Sequence, residues 1–133
     1  MLYVGTRENG PFYEMPEPEK RMLRLLISPE LDPSQHDIAC GMVEVPPGSN
    51  SDMRGHDEGE LFLIVSGEGK AIVGDETIKL APFTAFYAKP NVPHQTFNTS
   101  KDENLVMYFV LVPPFGGDKR IIDFWKSSKE AVK

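Results

Sequence analysis

The sequence lacks three features that mark common classes of protein. It holds one cysteine, Cys40, so no disulfide can form within the chain, and its strand-like context predicts a buried, unreactive thiol. The 14 basic residues are outnumbered by 20 acidic ones, and no basic cluster is longer than Lys20-Arg21. This argues against binding to nucleic acid or to an anionic membrane surface. No apolar run approaches the roughly 20 residues of a membrane-spanning helix.

The length of the chain sets a limit on its organisation. With 133 residues there is room for one domain with one core, and we expect a single domain over 1–133. The N-terminus lacks a charged segment followed by an apolar one, so nothing marks the chain for secretion, and we expect a cytoplasmic protein. A separate DNA-binding domain does not fit.

Short apolar runs separated by glycine and proline dominate the middle of the chain. Each run has the length of a strand, and most are rich in β-branched or aromatic residues. Turn sequences such as Pro46-Pro47-Gly48 and Gly74-Asp75-Glu76 lie between them. The pattern predicts an all-β sandwich or barrel of antiparallel strands. The predicted strands are 24–28, 38–45, 61–65, 70–73, 77–80, 84–88, 94–98 and 105–112.

The two ends of the chain differ from this pattern. Residues 1–22 include a segment rich in proline and glutamate, which predicts an extended arm or edge segment. At the other end, Asp118 can cap a short helix over 118–131 that places Ile121 and Trp125 on one face. We expect this helix to pack outside the barrel. Edge strands and an exposed arm favour pairing of two copies, so we expect a homodimer.

Two histidines and a glutamate are the candidate metal ligands. His56 and Glu60 are four residues apart at the start of an apolar run, and His94 follows Pro93 in a later run. On an extended backbone Arg54, His56 and Glu60 point to the same side. Two imidazoles and one carboxylate are the ligands of a divalent metal site that keeps positions open for substrate.

These residues resemble the two sequence signatures of the cupin superfamily. Gly48, His56, Glu60 and Gly67 fall in the register of the first signature, and His94 with Asn98 matches the core of the second. The resemblance implies a double-stranded β-helix, the jelly-roll barrel of cupins, with the short C-terminal helix added. It also implies a metal site in the barrel. Three positions depart from the family pattern, because Arg54 replaces the first histidine, and Phe83 and Asn91 replace glycines.

Arg54 is the departure that changes the chemistry. A guanidinium stays protonated and has no lone pair for a metal, so the ligands would be His56, Glu60 and His94, around iron, manganese, nickel or zinc. A cation beside a metal ion is unfavourable unless an anion lies between them. We therefore expect a small anionic ligand held by the metal and Arg54. Arg54 and Glu60 are the expected catalytic residues, and Met42, Tyr87 and Phe97 are candidate pocket-lining residues.

Two classes of function remain open. The first is a metal-dependent enzyme acting on an oxygenated acid by dioxygenase, decarboxylase, isomerase or lyase chemistry. The second is a metal-free cupin that binds or senses a small ligand, with an Arg54–Glu60 ion pair in the barrel. Among nearby residues, we expect Asp57 and Glu58 to be solvated loop acids and His36 to be an exposed loop histidine.

Overall fold

The computed structural model describes residues 2–53 and 55–114, and these residues form an all-β protein. Within these ranges no helix is long and apolar enough to cross a membrane. The predicted helix over 118–131 and the side chain of Arg54 lie outside the described residues. The strands of the described ranges are β1 (Phe12–Met15), β2 (Arg21–Ile27), β3 (Ala39–Val45), β4 (Gly59–Ser66), β5 (Gly69–Val73), β6 (Glu76–Leu80), β7 (Ala85–Ala88), β8 (His94–Asn98) and β9 (Leu105–Val112).

The predicted strands are all present, with small shifts at their ends. The largest shift is in β2, which begins at Arg21 rather than at residue 24. Arg21 pairs with Met15 of β1, so the predicted N-terminal arm contributes a short strand. That strand lies at the edge of its sheet, as the proline-rich sequence predicts. Sequence pattern missed the start of β2 because a charged residue rarely begins a buried strand unless it has a partner.

Two antiparallel sheets make up the fold. The larger has six strands in the order β1-β2-β3-β9-β4-β7, and the smaller has three in the order β6-β5-β8. Strand β9 lies in the middle of the larger sheet and pairs along its whole length with β3, from Ala39 opposite Leu111 to Val45 opposite Leu105. On its other side it pairs with β4. The neighbours β3 and β9, β9 and β4, and β4 and β7 are not consecutive in sequence, which is typical of a jelly roll.

The core lies between the two sheets. Along β9 the buried residues Leu105, Met107, Phe109 and Leu111 alternate with partly exposed ones, so one face of the strand points inward. The core is completed by Met15, Leu23, Ala39, Val43, Val45, Phe62, Ile64, Ala71 and Leu80. The interior is therefore apolar, and any polar group inside it needs a specific partner.

On the outer face of the larger sheet, Cys40 is buried, as expected from its sequence context. Tyr108 lies beside it. Burial raises the pKa of Tyr108 to about 12, and the hydrogen bond with Cys40 and the charge of that group add to the increase. The phenol is therefore neutral at any physiological pH.

The backbone conformation explains the family-signature glycines and the two positions where this chain replaces them. Gly48 and Gly67 have φ of 74° and 90°, and a Cβ at Gly67 would collide with the carbonyl of Asn104. Phe83 and Asn91 also have positive φ, at 71° and 66°. Asparagine tolerates this region, whereas a phenylalanine there costs about 1–2 kcal/mol. The chain has thus kept the glycine conformation at both positions without the glycine.

Asn98 joins the sheets instead of contacting the candidate ligands. Its Nδ2 donates to the carbonyls of Val45 and Glu103, each at 2.8 Å, and its Oδ1 accepts from the Ser100 amide at 2.8 Å. The backbone N–H of Asn98 also donates to the backbone carbonyl of Ser49, at 2.9 Å. These bonds hold the end of β8 against the end of β3 and satisfy buried backbone groups.

We expect Asn98→Ala to lower the free energy of unfolding by about 2–4 kcal/mol, because the substitution leaves buried backbone groups without partners. Urea unfolding followed by circular dichroism measures the change. The exposed Asn104 offers a matched control, and Asn104→Ala should change the free energy by less than about 0.5 kcal/mol. Equal stability of the two variants would contradict this role for Asn98.

Candidate metal centre

Glu60 is placed by a part of the larger sheet that is paired on both sides. It lies in β4 opposite Leu111 of β9 on one side and Ala88 of β7 on the other. Because side chains alternate along a strand, Glu60 points inward while Leu61 points outward and is exposed. Pairing on both sides fixes the backbone of this carboxylate.

The two histidines reach Glu60 from different elements. His94 is the first residue of β8 in the smaller sheet, where it pairs with Val73, and it is buried. His56 lies in the loop before β4, and its carbonyl accepts a 2.7 Å hydrogen bond from the Asn91 amide. The positive φ of Asn91 therefore helps to hold this loop against the segment that leads to His94.

The three side chains meet at one carboxylate oxygen. Oε1 of Glu60 lies 3.0 Å from Nε2 of His56 and 3.1 Å from Nε2 of His94. The two imidazole rings are nearly perpendicular, with centroids 5.2 Å apart. One ligand atom from each residue can be chosen so that all three lie within 4.8 Å of one another. The structure thus brings together the three residues that the sequence predicted.

Backbone carbonyls determine which ring nitrogen of each histidine carries a proton. Nδ1 of His56 donates to the carbonyl of Glu58 at 2.9 Å, and Nδ1 of His94 donates to that of Val92 at 3.1 Å. A carbonyl can only accept, so each Nδ1 is protonated. In a neutral imidazole the other nitrogen, Nε2, then carries a lone pair. In each ring it is Nε2 that faces the Glu60 carboxylate; it donates to the carboxylate when it is protonated and can ligate a metal when it is not.

Glu60 remains ionised at this position. Burial favours the neutral acid and raises its pKa. Hydrogen bonds from His56 and His94, and the charges of these residues, lower the pKa by a larger amount. The net result is a pKa below the ordinary value for glutamate. The cluster therefore presents a carboxylate and two imidazoles within a largely apolar interior.

The donor set fits a divalent ion. Ligands about 2.1 Å from one metal at neighbouring octahedral positions are separated by roughly 3.0 Å. The contacts of 3.0 and 3.1 Å between Glu60 and the histidines match this separation, and they equally match hydrogen bonds from protonated imidazoles. Without a cation or extra protons, two lone pairs and a carboxylate would face one another unfavourably. Two imidazoles and a carboxylate suit iron, manganese, nickel or zinc.

A cavity of about 70 Å³ adjoins the cluster and is partly open to solvent. Its size suits a small ligand, because pockets for drug-sized molecules are roughly 300–1,000 Å³. The described residues that line it come from both sheets and from the loop after β3: Arg21, Leu23, Val43, Ser51, Asp52, His56, Glu58, Glu60, Phe62, His94, Thr96, Met107, Phe109 and Leu111.

The other predicted pocket residues are placed differently. Met42 and Phe97 alternate along their strands with Val43 and Thr96, which line the cavity, so they point to the opposite face. Lys70 lies over the ring of Phe97, with Nζ 5.0 Å from the centroid. Tyr87 is 50% exposed on the outer face, opposite Leu61. Their role as ligand contacts stays a prediction.

The expectation for Glu58 was wrong. Asp57 is exposed, as predicted, but Glu58 is only 3% exposed and lines the cavity. Its Oε1 lies 3.6 Å from Nδ1 of His56. The bend that ends at Gly59 turns this side chain inward, which simple strand parity could not decide. His36 is exposed, as expected.

Sequence reasoning also missed Arg21 and Asp52. Nη2 of Arg21 lies 2.8 Å from Oδ1 of Asp52, and both residues line the cavity. The partners are 31 positions apart, so no local spacing could have joined them. The only sequence clue was a charged residue directly before an apolar run.

Two antiparallel sheets that enclose two histidines and a glutamate define a class of β-barrel proteins with a candidate metal site. The model of the cupin domain family matches residues 41–111, more than half of the chain. The protein therefore belongs to the cupin family.

Comparisons with individual proteins agree with this assignment. The chain is 42% identical over 60 residues to H2HPP isomerase of Bacillus subtilis, covering 44% of this chain and 25% of the isomerase. It thus spans about a quarter of the length of that curated relative.

Two solved structures show the same fold. An RmlC-like cupin from Shewanella frigidimarina has a TM-score of 0.71 at 13% identity, covering 87% of this chain and 95% of the other. A predicted oxalate decarboxylase from Thermotoga maritima has a TM-score of 0.71 at 17% identity, covering 85% and 99%.

We expect Glu58→Gln to weaken the affinity for a divalent metal about tenfold. The buried carboxylate lies 3.6 Å from Nδ1 of His56, and its negative charge attracts a cation bound by that imidazole, an effect we place at the lower end of the 10- to 100-fold range of supporting groups. Competition with a chromophoric chelator for Zn²⁺ gives the dissociation constant. Asp57→Asn removes the same charge from the exposed neighbour and should change affinity less than about twofold, the limit for a screened surface charge. Equal losses of metal affinity in the two variants would contradict a specific role for Glu58, because net charge alone would then explain the effect.

Proposed function

We propose that this protein is a metal-dependent enzyme of the cupin type that acts on a small anionic, oxygen-rich metabolite. The observation that carries the proposal is the orientation of the two histidines. Backbone carbonyls hold both Nδ1 protons, so both Nε2 atoms, which are the atoms that would ligate a cation, converge on the Glu60 carboxylate. This arrangement is suited to a cation, and it uses residues from three separate elements.

The charges around the cavity support a divalent ion. Among the described lining residues, Asp52, Glu58 and Glu60 are acidic and Arg21 is basic, which leaves a net charge of −2 with neutral histidines. Uncompensated negative charge is costly in an apolar interior. An ion of charge +2 would balance it.

His56, Glu60 and His94 would hold iron, manganese, nickel or zinc. Such an ion supplies Lewis-acid or oxygen-activating chemistry when bound. The protein orients the ligand against it, and the apolar lining of Phe62, Met107 and Phe109 limits access of water.

Arg54 is the proposed contact for the anionic part of the substrate, because its sequence position matches that of a metal ligand in the family signature. Dioxygenation, decarboxylation, isomerisation and lyase chemistry all use small oxygenated acids. The match to H2HPP isomerase favours isomerisation among them. A homodimer and a cytoplasmic location stay predictions.

The second candidate is a metal-free cupin that binds or senses a small ligand. The contacts of 3.0 and 3.1 Å at Glu60 favour it, because protonated imidazoles could donate to the carboxylate at these distances. In that case the two positively charged imidazoles would take the place of the metal ion, and Arg54 would form an ion pair with Glu60. The protein would then hold its ligand without turnover.

Metal content separates the two candidates. We expect protein purified without chelator or metal-affinity resin to hold about one divalent ion per chain. His94→Ala should bind the ion at least ten times more weakly, because only two protein ligands remain. Elemental analysis by mass spectrometry gives the stoichiometry.

His36→Ala is the matched control, because His36 is an exposed histidine away from the cavity. It should retain the full metal content. Absence of metal from the wild-type protein, even after incubation with Fe²⁺, Mn²⁺, Ni²⁺ and Zn²⁺, would favour the metal-free binding module.

A further inference from the structure

We propose that Arg21 is a second anion-recognition point of the cavity, which makes the preferred ligand a small acid with two anionic groups. The inference rests on the proposed function, since the first group of the ligand is held at the metal centre. It adds a residue that the family signatures do not include.

Arg21 is buried where it can meet a ligand. Its side chain is 8% exposed, and it lines the cavity with Ser51, Asp52 and Thr96. Nη2 contacts Oδ1 of Asp52 at 2.8 Å, and Nη1 donates to the carbonyl of Glu19 at 2.9 Å. These contacts hold the guanidinium at the cavity wall in a defined orientation.

Stability alone does not account for a buried arginine at this position. Desolvating a guanidinium costs several kcal/mol, and well-packed apolar residues often replace a buried ion pair without loss of stability. Leu23, two residues along β2, shows that the same face of the strand accepts an apolar residue, because it also lines the cavity. The charged side chain instead lies at the wall of a partly open cavity, where it can contact a ligand.

The sheet places Arg21 and the metal centre on different strands. In the larger sheet, β3 and β9 separate β2 from the strand that carries Glu60. Two strands thus separate their backbones, but both side chains reach the same cavity, which Arg21 and Glu60 line together. A ligand that touches both points therefore needs two separated polar groups. The planar guanidinium is suited to a carboxylate.

The ligand class can be tested with 2-hydroxy acids that differ in one group. Lactate has a single carboxylate, whereas malate and 2-hydroxyglutarate add a second at two distances, and both enantiomers of each are used. Binding to Co²⁺-loaded protein is followed by calorimetry and by the visible absorption of the metal. We expect the wild-type protein to bind at least one of the dicarboxylates ten or more times as tightly as lactate.

Arg21→Met should reduce this preference to less than about threefold, because the second carboxylate loses its partner while the first stays at the metal. Arg21→Lys keeps the charge and should retain part of the preference. Arg24→Met is the matched control, because Arg24 lies on the same strand but donates to the carbonyls of Arg7 and Gly10 outside the cavity. It should keep the wild-type preference.

Two results would overturn the proposal. One is a wild-type protein that binds Co²⁺ but does not favour either dicarboxylate over lactate. The other is an undiminished preference in Arg21→Met. Failure of the proposed metal function is distinguishable, because the protein would then take up no Co²⁺ before any acid is added.

Discussion

The site depends on two hydrogen bonds from imidazoles to the backbone. The carbonyls of Glu58 and Val92 accept from Nδ1 of His56 and His94, and this leaves both Nε2 atoms facing Glu60. The barrel supplies these carbonyls from a loop and from a turn before β8, while a strand paired on both sides supplies the carboxylate. The geometry of the cluster is thus a property of the fold as much as of three side chains.

The cavity combines a charged centre with an apolar interior, and each polar group in it has an identifiable support. Glu58 lies beside His56, and Asp52 lies beside Arg21. Charges in such an environment interact strongly, so a bound cation would change the energetics of every neighbouring carboxylate. An arginine that binds an anionic ligand would change the electrostatic energies of these same groups.

Much of the fold and the ligand set could be predicted from the sequence, because both have local signals. Strands followed the apolar runs and turn residues, and the spacing of His56, Glu60 and His94 gave the cluster. The rest depended on long-range contacts. Glu58 became buried through a bend before β4, and Arg21 through a partner 31 positions away. Strand alternation, once the register was known, placed Met42, Tyr87 and Phe97 away from the cavity lining.

The backbone carbonyls, as we propose the site, hold the Nδ1 protons of both histidines before a metal arrives, and two-bond ¹H–¹⁵N correlation spectra of the imidazoles test this directly. For His56 and His94, assigned by substitution, we predict protonated Nδ1 in the metal-free protein near neutral pH, and Nε2 shifts that change when one equivalent of Zn²⁺ is added. Protonated Nε2 on either histidine in the presence of Zn²⁺ would contradict the account.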